Sequence, residues 1–201
     1  MTTISSTMVK QLREKSGAGM MDFKQAMLEC DADMDKAVDF LRKKGLATAQ
    51  KRAGRAMTAG TIQSYIHMGG KLGDLVEVNC ETDFVAKNED FIQFAKNIAM
   101  HIAATNPLGV RAEDVPEETV QRERDIYQAQ ALETGKPENV ITKIVDGKMN
   151  KFFKENCLLN QAYVRDPELA VEDVLNELIA KIGENITIKR FVRFQTGEAA
   201  E

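Results

Sequence analysis

The sequence has few of the residues from which disulfide frameworks and metal sites are built. Among its 201 residues are three cysteines and two histidines. Cys30, Cys80 and Cys157 lie far apart, in neither a disulfide pattern nor the close pairs typical of zinc ligands. We expect three free thiols packed as small apolar side chains, with an intermolecular disulfide as the alternative. His67 and His101 each stand alone, so we expect no metal site and no cofactor.

The sequence also lacks long apolar runs. No stretch approaches the roughly 18 consecutive apolar residues that a membrane-spanning helix needs. The opening segment, MTTISSTMVKQLREK, does not have the charged head and apolar run of a signal peptide. Apolar residues at 43% and charged residues at 29% are ordinary for a folded globular protein. We therefore expect a soluble, cytoplasmic protein with no membrane partner.

An excess of positive charge is absent as well. The chain has 27 basic and 31 acidic side chains and a formal net charge of −4, whereas proteins that coat nucleic acids are usually strongly basic. The strongest basic cluster comprises Arg42, Lys43, Lys44, Lys51, Arg52 and Arg55. Its first three members suit the C-terminal end of a helix dipole, and contact with RNA is the alternative. We expect no direct nucleic-acid partner.

The usual motifs of catalytic sites are missing. The phosphate-binding pattern GxxxxGK followed by Ser or Thr does not occur, and the GGK run at residues 69–71 is better explained as a hairpin turn. Asp31, Asp33 and Asp35 resemble the start of a calcium loop but lack its glycine and its distant glutamate. No nucleophile is paired with a base in the sequence. We therefore expect a protein that is not an enzyme.

Turning to what is present, the first 50 residues predict a bundle of three short helices. Ser5 or Ser6 can cap the first helix, and residues 22–28 form the second. Asp33 can cap the third, which should end at Gly45. The side chains expected inside the bundle are Met8, Leu12, Phe23, Ala26, Met27, Ala37, Val38 and Leu41. The predicted domain, residues 1–50, is a small ubiquitin-associated-like bundle.

A change of composition follows this bundle. Residues 51–60, KRAGRAMTAG, are small and basic without apolar periodicity, and they predict a linker. Two alternating segments joined by a glycine-rich turn then predict a β-hairpin. Their apolar positions are Ile62 and Ile66 in the first strand and Val76, Val78 and Cys80 in the second.

The remainder of the chain predicts several helices and one more strand. Helical spacing of apolar residues covers 88–105, 116–134 and 139–153. Asp166 and Pro167 indicate the start of a further helix that ends at Gly183. Its apolar stripe is Val174, Leu175, Leu178 and Ile182, and the alternating residues Ile186, Ile188, Val192 and Phe194 predict the strand. Few strands and irregularly placed helices indicate an α+β core with a small antiparallel sheet over residues 61–201.

Two segments are unusual for a simple core. In residues 13–24, Met20 and Met21 are adjacent and cannot both point inward, so one suits a partner surface; packing of both in an irregular core is the alternative. In residues 78–88, a strand ends and a helix begins, with Thr82 or Asp83 as its cap. Phe84 lies on the first turn of that helix. It is either a wedge into a partner or an ordinary core residue.

Both segments closely resemble the elongation factor Ts family. The runs LREKSGAGMMDFKQAM, EVNCETDFVAKNEDF, KNIAMHIAA, GKPENVITKIVDGKMNKFF and ITIKRFVRFQTGE occur in the order found in that family. The resemblance spans nearly the whole chain, and the run TDFVAKN is highly specific. It implies a protein that binds elongation factor Tu, in its GDP-bound and nucleotide-free forms, and accelerates nucleotide exchange without bond chemistry.

The resemblance also implies which residues contact elongation factor Tu. The exchange wedge would be the TDFVA segment (residues 82–86), namely Thr82, Asp83, Phe84, Val85 and Ala86. In the family, the Asp-Phe pair disturbs the Mg²⁺ and nucleotide site, with the Phe lodged between two helices of the GTPase domain. Further contacts would come from Leu12, Met20, Met21 and His67. By linkage, a factor that prefers the nucleotide-free state weakens nucleotide binding by the same ratio.

The chain departs from the family in one respect. Long members contain two similar α+β halves, whereas here the turn HMGGKLG leads directly into VEVNCETDFVAKN. A half-core leaves an apolar face uncovered, which predicts a homodimer through residues after about 60, and a heterotetramer with two molecules of elongation factor Tu. Whether His67 and Phe84 contact one partner molecule from the same chain stays open.

Two other functions stay open. The N-terminal bundle could bind ubiquitin-like or other apolar patches, or the chain could be an RNA-binding accessory protein of translation. Loss of binding to elongation factor Tu would separate the exchange function from both of these alternatives. A steep salt dependence of RNA binding would favour the RNA-binding accessory protein.

Overall fold

The computed structural model describes residues 20–52 and 54–198. Within them lie seven α-helices and five strands, which confirm the predicted α+β class. In chain order they are α1 (Met20–Glu29), α2 (Met34–Arg52), β1 (Ala59–Ile66), β2 (Leu72–Cys80), α3 (Asp83–Ala86), α4 (Glu89–Thr105), α5 (Glu117–Leu132), α6 (Glu138–Asn156), β3 (Ala162–Tyr163), β4 (Asp166–Ala170), α7 (Val171–Ile182) and β5 (Ile186–Gln195). The predicted first helix, with its caps at Ser5 or Ser6, lies outside the described residues.

The described residues divide into two compact units. The first unit contains residues 20–52, 54–62, 78–95 and 173–187, and the second contains residues 63–77, 96–172 and 188–198. Both units therefore draw on segments that are distant in sequence. The domain boundaries predicted from composition, at 1–50, 51–60 and 61–201, stay a prediction.

Helices α1 and α2 form a small apolar cluster in the first unit. Asp33 caps α2 as predicted, because its carboxylate accepts a hydrogen bond from the backbone N–H of Lys36 at 3.1 Å. Ala26, Met27, Ala37 and Leu41 are buried in this cluster, as their spacing predicted, with Val38 packed against them. The aspartates around Asp33 therefore belong to a helix start, and not to a calcium loop.

The predicted end of the third helix at Gly45 is wrong, since α2 continues to Arg52. A Cβ atom on Gly45 would lie 3.5 Å from the Cβ of Ala180 in α7. The glycine therefore lies at a close helix–helix contact within the first unit and does not terminate a helix. Lys51 and Arg52 are helical, and Ala59 and Gly60 already belong to β1, so the irregular segment is shorter than predicted.

The dipole explanation for residues 42–44 is also wrong, because they lie in the middle of α2. Two of these cations pair with carboxylates instead. Arg42 lies 3.7 Å from Asp173, and Lys44 lies 2.8 Å from Asp22. Their charges are thus partly neutralised within the first unit, and the RNA-binding alternative stays a prediction.

The main sheet has the strand order β1-β2-β5. The backbone N–H of His67 donates to the carbonyl of Leu72 at 2.8 Å and closes the predicted hairpin. At the far end of β5, the backbone N–H of Thr196 donates to the carbonyl of Lys71 at 2.8 Å, so β5 runs antiparallel to β2. The predicted third strand is therefore confirmed. In β2, the second strand of the hairpin, the alternating positions Val76, Val78 and Cys80 have no exposed surface.

In the second unit, α5 and α6 enclose an apolar cluster. Its buried members are Val115, Ala131, Ile141, Val145, Met149, Phe152 and Cys157. The bounds of both helices agree with the predicted ranges to within a few residues. Cys157 is a free thiol without exposed surface, so it cannot reach a second molecule unless the local structure opens.

The predicted helix start at Asp166 and Pro167 is wrong, since residues 166–170 form β4 and pair antiparallel with β3. The fixed φ of proline is compatible with an edge strand as well as with a first helical turn. The pairing of β4 with β3 shows that Pro167 lies in a strand. Helix α7 begins at Val171. It ends as predicted at Gly183, which has a φ of +89° and donates its N–H to the carbonyl of Ile179 at 2.9 Å.

Within residues 20–52 and 54–198, no helix is both long and apolar enough to cross a membrane.

Candidate functional site

The TDFVA segment joins β2 to α4 and contains a single helical turn, α3. Thr82 has an extended backbone, with φ −130° and ψ 154°, and its hydroxyl oxygen accepts the N–H of Val85 at 3.4 Å. The carbonyl of Thr82 also accepts the N–H of Ala86 at 3.1 Å. Of the two candidate caps in the sequence, Thr82 is therefore the one in use. Asn88 caps the next helix by accepting the N–H of Asp90 at 2.9 Å.

Phe84 lies on this turn with 83% of its surface exposed, whereas the neighbouring Val85 is 5% exposed. The alternative that Phe84 is an ordinary core residue is therefore wrong. Burying one phenylalanine side chain stabilises a protein by roughly 1.5–3 kcal/mol. Because the Phe84 ring is not buried, it does not contribute this energy to folding. It lies next to the exposed carboxylate of Asp83 and is available for contact with another molecule.

Two glutamates hold the segment, and sequence reasoning identified neither of them. Glu184 accepts two hydrogen bonds from Thr82, one from its backbone N–H at 3.1 Å and one from its hydroxyl at 2.8 Å. Glu81 accepts the backbone N–H of Asn185 at 2.6 Å and lies 3.4 Å from the guanidinium of Arg55. Glu184 follows a helix-ending glycine about 100 residues along the chain from Thr82, so no local pattern in the sequence links the two.

The pKa values around the segment follow from these contacts. The hydrogen bond from Asn185, together with the charge of Arg55, lowers the pKa of Glu81 below its ordinary value. Burial, and then the negative charge of Glu184, raises the pKa of the Cys80 thiol. Cys80 is therefore a thiol at neutral pH and donates to the carbonyl of Thr82 at 3.3 Å. It has the character of a packing residue and not of a nucleophile.

The two histidines have different environments. His67 is exposed at the end of β1, where its Nδ1 lies 3.1 Å from the hydroxyl of Tyr65. His101 has no exposed surface, and its Nε2 lies 3.0 Å from the side-chain oxygen of Gln161. Burial lowers the pKa of His101, so it is neutral at physiological pH. His101 is thus a structural residue of the second unit.

The structure describes only some of the remaining predicted contact residues. Met21, on the first turn of α1, is 76% exposed. Leu12 and the side chain of Met20 lie outside the described part of the chain. The TDFVA segment and Met21 belong to the first unit, and His67 belongs to the second.

Among residues 20–52 and 54–198, no three His, Cys, Asp or Glu side chains are close enough together to hold a metal ion. The TDFVA segment provides an exposed aromatic ring, an exposed carboxylate and a turn fixed by hydrogen bonds. Such a surface has the features of a protein–protein contact, in which an exposed aromatic side chain commonly acts as the anchor.

Known proteins resemble the chain over nearly its whole length. The family model described as Elongation factor TS matches residues 5–198. Elongation factor Ts of Desulfosudis oleivorans is 63% identical over 198 residues, which cover 98% of this chain and 100% of that protein. Elongation factor Ts of Thermoanaerobacter pseudethanolicus is 58% identical over 198 residues, covering 98% and 97%. For Geobacter sulfurreducens the identity is 56% over 199 residues, covering 99% and 92%. This chain belongs to the elongation factor Ts family of translation elongation factors.

Proposed function

We propose that the protein is a guanine-nucleotide exchange factor for elongation factor Tu and that it catalyses no bond chemistry. The observation that carries this proposal is the exposed Phe84 beside Asp83, on a capped turn, in a member of the elongation factor Ts family. An exposed aromatic side chain on a fixed turn has the features of an interface anchor, because little conformational freedom remains to be lost on binding.

In the proposed mechanism, Phe84 inserts between two helices of the GTPase domain of elongation factor Tu. The carboxylate of Asp83 then lies toward the Mg²⁺ and nucleotide site, where negative charge is unfavourable beside the phosphates and competes for the cation. The complex is stable without nucleotide and unstable with it. By reciprocity, the factor weakens GDP binding by the same ratio as GDP weakens the binding of the factor.

Further contacts in this proposal come from Leu12, Met20, Met21 and His67. Met21 contributes an exposed, flexible apolar side chain, which adapts to a partner surface without demanding a single shape. These residues would raise affinity, whereas Asp83 and Phe84 would change the nucleotide site. Affinity and exchange are therefore expected to be separable by mutation.

A direct experiment tests this function. Purified elongation factor Tu is loaded with a fluorescent GDP, and nucleotide release is timed after adding excess unlabelled GDP, with and without the protein. We expect release to accelerate in proportion to the protein added, until it saturates. Unchanged release at micromolar protein, in the presence of Mg²⁺, would contradict the proposal.

We also propose that the protein is a homodimer, and that the dimer binds two molecules of elongation factor Tu. The support comes from the second unit, where four apolar side chains of the sheet are 41–68% exposed. They are Ile66, Leu75, Val192 and Phe194. Ile66, Leu75 and Phe194 line a groove of about 480 Å³. A second copy would cover the same patch on each chain, as two-fold symmetry requires.

A further inference from the structure

The helical turn that carries Phe84 is too short to be stable alone. Helix α3 has four residues, and the first turn of a helix is unfavourable because several dihedral angles must be fixed for one hydrogen bond. The turn must therefore be held by contacts outside itself. Burial of Val85 supplies one such contact, the backbone N–H of Asn88 donates to the carbonyl of Val85 at 2.9 Å, and Thr82 supplies the contacts at the start of the turn.

The strongest restraint on Thr82 comes from Glu184. The capping bond from the N–H of Val85 to the hydroxyl of Thr82 is long, at 3.4 Å, and a bond of that length is weak. The two bonds from Thr82 to the carboxylate of Glu184 are 2.8 and 3.1 Å, and hydrogen bonds to an ionised acceptor are about twice as strong as neutral ones. The same hydroxyl donates to Glu184 and accepts from Val85. The Glu184 carboxylate is therefore linked, through the Thr82 hydroxyl, to the turn that carries Phe84.

A reciprocal contact fixes Glu184 in turn. The next residue, Asn185, donates its backbone N–H to the side chain of Glu81, which precedes Thr82. Glu81 and Thr82 thus hold residues 184–185 while Glu184 holds Thr82. Gly183, with its φ of +89°, ends α7 and directs the chain into this position. The end of β2 and the start of β5 are joined by side chains at the base of the TDFVA segment.

This arrangement lies at the surface. Thr82 is exposed and Glu184 is half-buried, so removing the Glu184 carboxylate leaves neither a cavity nor a buried charge. Hydrogen bonds at an exposed site contribute less to global stability than buried ones, because water can replace them when they are removed. Their main effect is on the local conformation of the residues that they join.

We propose that Glu184 is a positioning residue for nucleotide exchange: by holding Thr82 it keeps the α3 turn formed and Phe84 directed outward before the partner arrives. This inference rests on the proposed exchange function. A turn that is already ordered loses less entropy on binding, so affinity and rate both increase. Without Glu184, the turn would have to order during each encounter.

The first test compares Glu184→Ala and Glu184→Gln in the GDP-release assay with the whole chain. We expect Glu184→Ala to lower stimulated release roughly five- to tenfold at subsaturating protein, in line with the cost of ordering a few side chains. Glutamine keeps the length but only one of the two oxygen acceptors and no charge, so we expect it to restore part of the lost rate. The control, Glu172→Ala, removes an exposed carboxylate at the start of α7 and should behave like the wild type.

A double-mutant cycle with Phe84 separates positioning from a general structural role. If Glu184 acts by presenting Phe84, then Glu184→Ala should have almost no further effect once Phe84 is alanine. A structural role would reduce the rate by the same factor in both backgrounds. Independent, multiplicative effects would therefore overturn the proposal.

Amide hydrogen exchange on the free protein provides a readout that does not require elongation factor Tu. We expect the N–H groups of Thr82 and Val85 to exchange at least about tenfold faster in Glu184→Ala, with protection in α5 and α6 unchanged. Unchanged protection at Thr82 would overturn the proposal, as would faster exchange without any loss of GDP release. Failure of the wild type itself to accelerate GDP release would instead overturn the proposed function.

Discussion

At the scale of single residues, two side chains are in unfavourable positions for stability, and both are informative. Phe84 is apolar and 83% exposed, whereas Asp74 is acidic and 2% exposed. Within the described part of the chain, neither carboxylate oxygen of Asp74 has a hydrogen-bond partner. The first arrangement is expected of an interface anchor, and the second produces a pH-dependent stability.

We expect Phe84→Ala to slow stimulated GDP release at least about 30-fold, since an aromatic interface anchor commonly contributes about 2 kcal/mol or more. Because the ring is exposed, the melting temperature should change by less than about 2 °C. Leu132→Ala is the matched control, as it shortens an apolar side chain that is 57% exposed on α5. Wild-type exchange by the Phe84 variant would exclude the wedge, and a large loss of stability would contradict the exposed position of the ring.

We expect Asp74→Asn to stabilise the protein at alkaline pH. Burial raises the pKa of Asp74 to about 7, although the positive charge of Arg193 opposes this shift. In the unfolded chain the pKa is near 3.8, so the folded state binds more protons and its stability falls as pH rises from about 4 to about 7. At pH 8 the asparagine variant should be more stable by about 1–3 kcal/mol, and near pH 4 the gain should vanish.

Urea unfolding of wild type and Asp74→Asn at pH 5, 6, 7 and 8 measures this difference. The exposed Asp39→Asn controls for the loss of one carboxylate. A difference between wild type and Asp74→Asn that stays constant from pH 5 to pH 8 would mean that Asp74 does not titrate in this range.

At the scale of elements, the contact between α2 and α7 includes a glycine. Gly45 lies within a helix, where glycine is less favourable than alanine by about 1 kcal/mol. A Cβ at this position would make an ordinary contact of 3.5 Å with Ala180. The space therefore accommodates one methyl group and little more.

We accordingly expect Gly45→Ala to stabilise the protein by about 0.5–1 kcal/mol and Gly45→Leu to destabilise it by about 1–3 kcal/mol. Thermal unfolding of both variants checks these signs. If Gly45 ended the helix with a positive φ, as its sequence context predicts, alanine would destabilise the protein instead. A lower melting temperature for Gly45→Ala would therefore contradict the continuous helix.

At the scale of the whole molecule, the exposed apolar side chains of the sheet predict self-association. We expect light scattering at micromolar concentration, under reducing conditions, to give about twice the 22.4 kDa of one chain. Phe194→Glu places a charge on the patch and should raise the dimer dissociation constant at least about tenfold. Leu132→Glu, on α5, is the control. A mass near 22.4 kDa for the wild type would exclude the dimer.

The sequence by itself determined the elements whose signals are local. Alternation in β2, helical spacing in α4 and the cap at Asp33 each depend on neighbours within a few residues, so they could be predicted. The TDFVA segment could be located for the same reason, because strand, cap and first turn follow one another directly. Glycine can end a helix or lie within one at a close contact, and proline can start a helix or lie in an edge strand. At Gly45 and Pro167 the local sequence indicated the wrong one of these two roles.

The tertiary structure decided which of these roles applies and how the site is supported. Only the packing beside Ala180 shows that Gly45 lies within a helix and does not end it, and only exposure separates Phe84 from a core phenylalanine. Glu184 and Thr82 meet across about 100 residues of chain, through a contact that no periodicity encodes. The physical reason is that helix and strand patterns arise from nearest neighbours, whereas the positioning of a surface turn depends on groups that only folding brings together.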